Sequence, residues 1–524
     1  MNRLVFEQHA PVAPSAPNRA DVALFVGFVR RRSGVGIPDA LQRWLDERGW
    51  ITGPYARPAQ EVAQLLDLPV PIEAWDSFDA LFAWEQRDDN TTSTYLGAAV
   101  RSFFAQGGRR CYVVRVADPW PLASNRVTRL GQIPKLIPGY PAGFSCSSHD
   151  RETWHGLGHL FGLPDVSLIC LPDLAEAVAS MPVPLDPTPP LPVKADEQWV
   201  ECSSIDMSSL PVDQTLSTWS APRCQDGDYA DWAKAISTMA RVLSSDAREV
   251  QLVAALPMPY ANTAAAHDTL GFLLAGGSGP LAGAAADGVV AGLASAFIQL
   301  VYPWVRTSGS STLPEQLESP DAVLAGVLAR NALTRGAYHS AARQPLADVY
   351  AVEPQLARDQ MFTLHPDRAG GMSSHALIDR VSLVGPLPDR LALLSDVTTS
   401  LVEAYRPASA SRLIATVVRA ARRFGEDSVF EASAPTVWDS LRRRLEGLLL
   451  GFFQDGALDG LAPAQAFQVR CDRSTMTQND IDNGRLVAQV VLQPALPIQG
   501  IRLVLALDAS GALSLTPGAF GAAA

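Results

Sequence analysis

The residues whose types and spacing most resemble working chemistry lie in one short run. It is His155-Gly-Leu-Gly-His159, followed by Leu-Phe-Gly162-Leu-Pro-Asp165. In a zinc-hydrolase helix, two histidines four apart share a face and bind one metal. The residue after the first is a glutamate that activates water. A glycine then turns the chain toward a third ligand. Here His155, His159 and the turn residue Gly162 are present, and Asp165 is available as third ligand. The glutamate is replaced by Gly156, and Glu152, one turn earlier, cannot take its place. Without that general base, hydrolysis loses orders of magnitude. The trio is therefore a near-miss metal site. The plainer reading is an amphipathic helix with histidines on its polar side, leading into a buried strand. We assign no catalytic residue, metal ligand or cofactor from the sequence.

Other catalytic signatures are missing. The chain has neither a G-x-S-x-G elbow nor a G-x-x-x-x-G-K-[ST] phosphate loop. Gly276-Gly-Ser-Gly279 lacks the lysine that such a loop needs and reads as a connecting or interface loop. The cysteines, Cys111, Cys146, Cys170, Cys202, Cys224 and Cys471, show no metal-ligand spacing and no close pairs. That pattern suits a reducing compartment.

The elements around the near-miss run alternate. Val22–Phe28, Cys111–Val116, Asp165–Leu171 and Val250–Leu256 read as strands. Residues 96–105, Trp154–Phe161, Asp228–Leu243 and Ala284–Tyr302 read as helices, with Gly107-Gly108 stopping the first. Strands separated by helices imply a parallel sheet covered on its faces. Beyond residue 376 the character changes. Leu413, Val417, Ala421 and Phe424 mark one helix face, and Val437, Leu441, Leu445, Leu448 and Phe452 a second. Leu486–Leu492 and Ile501–Leu507 are strands. The predicted divisions are an N-terminal arm (1–20), an α/β core (21–375) with a Pro-rich insertion at 182–215, an α+β C-terminal domain (376–507), and a C-terminal arm (508–524).

With 524 residues, 47% apolar and 18% charged, the chain can bury roughly two or three domain cores. Its net charge of −12 gives no general footprint for nucleic acid. The runs Arg30–Arg32 and Arg442–Arg444 are short enough to be solvated faces. Met1–Arg19 is no secretory signal. Leu270–Trp304 carries only one charged side chain, Asp287, but Gly276–Pro280 interrupts it, so a buried helix is expected rather than a membrane span.

Several segments, in order, resemble the tail sheath family of contractile phages and phage-like injection particles. The most specific is Val469-Arg-Cys-Asp-Arg-Ser-Thr-Met-Thr-Gln-Asn-Asp-Ile-Asp-Asn-Gly-Arg-Leu486. Phe453–Gly460 with Pro463 and Ala466-Phe467, and Val429-Phe-Glu431 with Trp438, are similar to the preceding family elements. In the first half, Tyr95–Val100, Phe103-Phe104 and Gly107–Arg115 resemble the family's aromatic helix, Gly-Gly stop and valine-rich strand. Leu163–Val166, Leu171-Pro-Asp173, Tyr302-Pro-Trp304 and Ala325–Arg330 are weaker matches. The N-terminal segment departs from the family pattern, being a short arm in which only Phe6-Glu7 is similar.

The resemblance implies a subtilisin-like parallel-sheet core without a catalytic triad, joined to an α+β sheath domain with extended terminal arms. It implies a structural subunit, not an enzyme. Such a subunit polymerises in hexameric rings around an inner tube, exchanges strands through its arms, meets a baseplate and a cap or terminator, and contracts. Neither nucleic acid nor membrane insertion belongs to that picture. Assembly in the bacterial cytoplasm, then residence in a phage tail or a released extracellular particle, is the implied location. A minor sheath paralogue near the baseplate or cap is the alternative, and a degenerate zinc hydrolase the more distant one. The basic side chains Arg419, Arg422, Arg423 and Arg442–Arg444 are expected to meet the tube or a neighbouring subunit.

Overall fold

The computed structural model describes residues 20–87, 92–185, 219–274, 293–366, 374–427, 435–482, 485–495, 501–507 and 513–517. Its centre is an eight-stranded sheet. The strands in chain order are β1 (Ala23–Phe28), β2 (Pro69–Ile72), β3 (Cys111–Ala117), β4 (Leu168–Cys170), β5 (Gln251–Ala255), β6 (Ile298–Tyr302), β7 (Ser382–Leu387) and β8 (Arg390–Leu393). Across the sheet they lie β8-β7-β6-β5-β4-β1-β3-β2. The run from β7 to β3 is parallel, and the edge strands β2 and β8 are antiparallel. β1, β4, β5 and β6 are buried at every position, as a sheet covered on both faces requires.

One face is covered by α2 (Tyr229–Ser245), which inserts Trp232, Ile236 and Met239 into the core. The other is covered by α1 (Tyr95–Ala105) and α3 (Asp321–Thr334). α1 is capped by Thr94, whose hydroxyl accepts from Gly97 N–H, and is ended by Gly107 at φ +103. α3 is buried nearly all round, so it has no polar stripe and its period was not visible in the sequence. Gly326 lets it lie close to α1: a Cβ there would sit 2.6 Å from Phe103 O.

A second region follows. α4 (Ala408–Glu426) and α5 (Pro435–Gln454) pack under a four-stranded antiparallel sheet. Its strands are β9 (Phe467–Arg470), β10 (Leu486–Leu492), β11 (Ile501–Leu507) and β12 (Leu513–Pro517), in that spatial order. Along β10, Ala488, Val490 and Leu492 are buried and alternate with half-buried neighbours.

Several expectations need correction. Ile298–Tyr302, expected as the end of a helix, is a central strand, and 293–297 before it is bend and turn; residues 284–292 of that expected helix lie outside the described residues. The short apolar run Ile-Gln-Leu-Val-Tyr was misread because periodicity cannot separate a buried strand from a buried helix. Trp154–Phe161 is not an α-helix: Gly156–Gly162 is a 3₁₀ turn, preceded by a second at Arg151–Thr153. Residues 382–393, expected in the C-terminal domain, complete the large sheet. The C-terminal arm contains a strand: β12 pairs with β11 of its own chain. The Gly276–Gly279 loop, most of the Pro-rich insertion and residues 1–19 lie outside the described residues.

Candidate functional site

The near-miss histidines are held by a residue that sequence spacing did not single out. Asp67 stands in a left-handed turn at φ +50, just before β2. Its carboxylate lies 2.6 Å from His155 Nδ1 and 3.2 Å from His159 Nε2, and it accepts Gly156 N–H at 2.7 Å. Arg57 is 3.6 Å away. Burial alone would raise Asp67, but hydrogen bonds from both histidines and from Gly156 outweigh it and hold the carboxyl far below its usual range. His159 is fully buried beside Trp50, at 5.0 Å between rings, while His155 is half exposed.

Asp165 does not join them. It accepts from Tyr112 OH at 3.0 Å and lies 3.9 Å from Arg110. Among the described residues no group of three or more His, Cys, Asp or Glu is placed to hold a metal. Gly156 is more than a missing base. It sits at φ +47, and a Cβ there would be 2.3 Å from Lys135 O and 2.7 Å from Leu136 O. The backbone forbids a glutamate at that position. The cluster therefore pins the 155–162 turn to the segment before β2.

Doubly wound sheets bind ligands outside the carboxyl ends of strands, where the order reverses. Here β1 is flanked by β3 and β4, so that place lies beyond Phe28 and Cys170. It is filled. Asp173, just after β4, accepts Phe28 N–H at 2.7 Å and Leu96 N–H, at the start of α1, at 3.3 Å. Gly27 makes room for it: a Cβ there would be 2.2 Å from Asp173 Oδ2. Beside it, Arg87 and Glu176 form a buried two-pronged pair at 2.7 and 3.0 Å. These partners are far apart in sequence, which is why no local motif announced them.

The basic runs are also spoken for. Arg31 is buried and donates to main-chain oxygens of Leu81, Val35 and Gly36; Arg32 pairs with Asp79 and Glu85. Arg419 donates to Glu249 O, and Arg422 pairs with Glu249 at 2.7 Å. Arg442 bonds Asp439 and Glu446, Arg443 bonds Asp439, and Arg444 bonds Asp427. Arg31, Arg32, Arg419 and Arg422 are thus used within the chain, Arg419 wholly inside it, whereas Arg442–Arg444 pair at the surface, where such weak pairs do not preclude contact with a neighbour.

What remains open is main chain. Ala466 O accepts Gln493 N–H, so alternation along the pair turns the N–H groups of Phe467 and Val469 away from β10; Phe467 N–H donates to Pro463 O, which leaves Val469 as the outward donor of β9. Among the described residues no strand pairs with the outer edge of β9 or of β12. Nor is any described helix long and apolar enough to cross a membrane.

This architecture, with its sealed crevice and open C-terminal sheet, is the fold of chains from contractile sheath and baseplate assemblies. A chain of the anti-feeding prophage baseplate in contracted state is 17% identical, with a TM-score of 0.55 over 95% of each chain. A chain of the contracted helical sheath of the same particle is 18% identical, with a TM-score of 0.51 over 95% of this chain and 96% of that one. A chain of the contracted sheath complex of the extracellular contractile injection system PVC is 16% identical, with a TM-score of 0.51 over 95% and 94%. No family model matches the chain, and no curated protein matches it.

Proposed function

We propose that this chain is a structural subunit of a contractile sheath, polymerising around an inner tube and shortening to drive it into a target cell. The observation that carries the reading is the end-to-end likeness to a contracted sheath chain, over 95% of this chain and 96% of that one. The ligand crevice filled by Asp173 and the absent base at Gly156 support a non-enzymatic role. The large sheet is read as the subtilisin-like core without its catalytic triad, and the region beyond α4 as the polymerising domain.

Hexameric rings built by strand exchange are part of the proposal. An extended segment of one subunit adds to the open edge of another's C-terminal sheet, gaining main-chain hydrogen bonds while its linker bends. The edges of β9 and β12 are the acceptors, and Met1–Arg19 is the donor. Baseplate, tube and cap are the remaining partners, with assembly in the cytoplasm of the producing bacterium. One specific observation favours a baseplate-proximal copy of the same fold: one of the similar structures is a chain of a baseplate.

Negative-stain microscopy of the purified, overexpressed chain tests the reading. Long contracted tubes are expected. Removing residues 1–19 should abolish them while circular dichroism stays that of the folded subunit. Discrete particles from the intact chain would favour the baseplate or cap role, and tubes unchanged by the truncation would refute donation by the N-terminal arm.

A further inference from the structure

A cavity of about 270 Å³ lies between α4 and the amino ends of β4, β5 and β6. Val250, Phe297, Tyr405, Ile414 and Val418 line it with apolar surface. Two buried polar side chains that line it have atoms that lack a partner among the described residues. Gln251 is 4% exposed, and neither its Oε1 nor its Nε2 has a partner. Glu249 is 7% exposed; one oxygen pairs with Arg422, and Oε2 has none. Leaving such groups unpaired in a buried place is costly, so the site is built for something polar as well as apolar. A free amide donor beside a free amide acceptor matches one thing well: the main chain of an extended peptide.

The first described residue, Ala20, is itself part of the cavity wall. The residue before it is within about 3.8 Å, Cα to Cα. Pro11, Pro14 and Pro17 are spaced by three. A polyproline II chain has three residues per turn and about 3.1 Å rise, so these rings fall on one edge and the carbonyls point out as acceptors. Aromatic-lined grooves accept such segments, and Phe297 with Tyr405 supplies the aromatic surface.

We infer that this cavity seats the root of the N-terminal arm, Pro14–Arg19 of the same chain, as a polyproline II segment whose main chain pairs with Gln251. The root is fixed to the core beneath α4, and only the preceding residues reach outward. That last clause rests on the sheath reading; the seat itself does not.

Hydrogen exchange of the full-length chain, kept dilute enough to be monomeric by light scattering, tests it. The amides of Ser15, Ala16, Asn18 and Arg19 should exchange at least about ten-fold more slowly than those of residues 2–8. Ala415→Trp, which fills the cavity, and Gln251→Ala, which removes the pairing group, should each bring them to the faster rate while α2 and α3 keep their protection. Unprotected residues 15–19 in the unaltered monomer overturn the proposal. So does protection that appears only on polymerisation, which would assign the cavity to a neighbour's arm. Solvent extraction of an equimolar small apolar molecule from an unprotected monomer would assign it to a ligand instead. A chain lacking residues 1–13 separates the two readings: it should keep the protection yet form no tubes. Tubes from that chain sink only the arm-exchange reading.

Discussion

The two sheets of this molecule treat their edges in opposite ways. The large sheet is closed. Its β2 edge reads Pro69-Val-Pro71-Ile72, with the prolines opposite Val114 and Tyr112. Residues alternate in the direction of their N–H, so prolines two apart remove donors from one side only. At the other edge, β8 is covered by residues 343–346: Leu393 N–H donates to Gln344 O at 3.1 Å, and Leu346 N–H to Leu391 O at 3.1 Å. The C-terminal sheet carries no such guard on β9. Phe467 N–H is taken by Pro463 O, but the outward N–H of Val469 can donate. A chain that adds neighbours through one sheet alone needs its other sheet closed.

The contrast breaks most severely if the two regions come apart, and one ion pair ties them. Arg412 on α4 donates to both oxygens of Asp396, at 3.0 and 2.6 Å, and both side chains are almost fully buried. Asp396 also accepts Gln299 Nε2 from β6 and Ala341 N–H. The pair therefore fastens α4 to the large sheet. Replacing one partner leaves the other charge buried and uncompensated. Asp396→Asn should cost about 3–5 kcal/mol in denaturant unfolding. Arg412→Met should cost a similar amount, and the double variant less than the sum. Additive costs would show that the pair is not the tie.

How much of this was legible in the sequence depends on range. β10 and β11 were read correctly because alternation and valine content are local signals. α1 with its Gly-Gly stop was read for the same reason. β6 was misread as helix because Ile298–Tyr302 is buried on both faces and carries no alternation. The candidate site fared worse. His155 and His159 were found by spacing, but their partner Asp67 lies 88 positions before the first of them, and Gly156 bends the run out of α-helical register. Spacing then says nothing about which side chains share a face. Arg87–Glu176 and Arg412–Asp396 likewise link segments that no local pattern connects.

A smaller effect separates the regions by pH. The large-sheet half holds three buried carboxyls that burial pushes up: Glu318 to about 8, Asp173 to about 7 with help from Glu176, and Asp321 to about 6. A group raised on folding stabilises fully below its unfolded value, near 4, and that contribution is lost as pH rises through the folded value. Stability should therefore fall between about pH 4 and 8, by at most about 1.4 kcal/mol per pH unit for each group inside its own window. Asp67 works in the other direction, because its carboxyl is lowered; its contribution is present above the usual aspartate range and is lost only in strong acid. Denaturant midpoints at pH 5 and 7.5 should show the alkaline loss. In Asp173→Asn, whose amide oxygen can still accept Phe28 N–H, that loss should shrink. An unchanged slope would remove Asp173 from the account.

The smallest stability effect belongs to the guarded edge, and it tests the contrast most directly. In Pro69→Val/Pro71→Val the side chains still pack, since position 69 is buried and 71 half-buried against β3. The loss of rigid prolines should alter stability by about 1 kcal/mol or less. The change that matters is chemical: two outward N–H donors appear on an edge that had none. If closed edges on the large sheet keep assembly confined to the C-terminal sheet, this variant should form irregular side-to-side aggregates together with tubes, read by light scattering and negative stain at matched concentration. Adding proline at Val469 should do the converse, removing a donor from the open edge and shortening or abolishing tubes. If the opened large-sheet edge leaves assembly untouched, then β2 is protected by its surroundings rather than by its prolines.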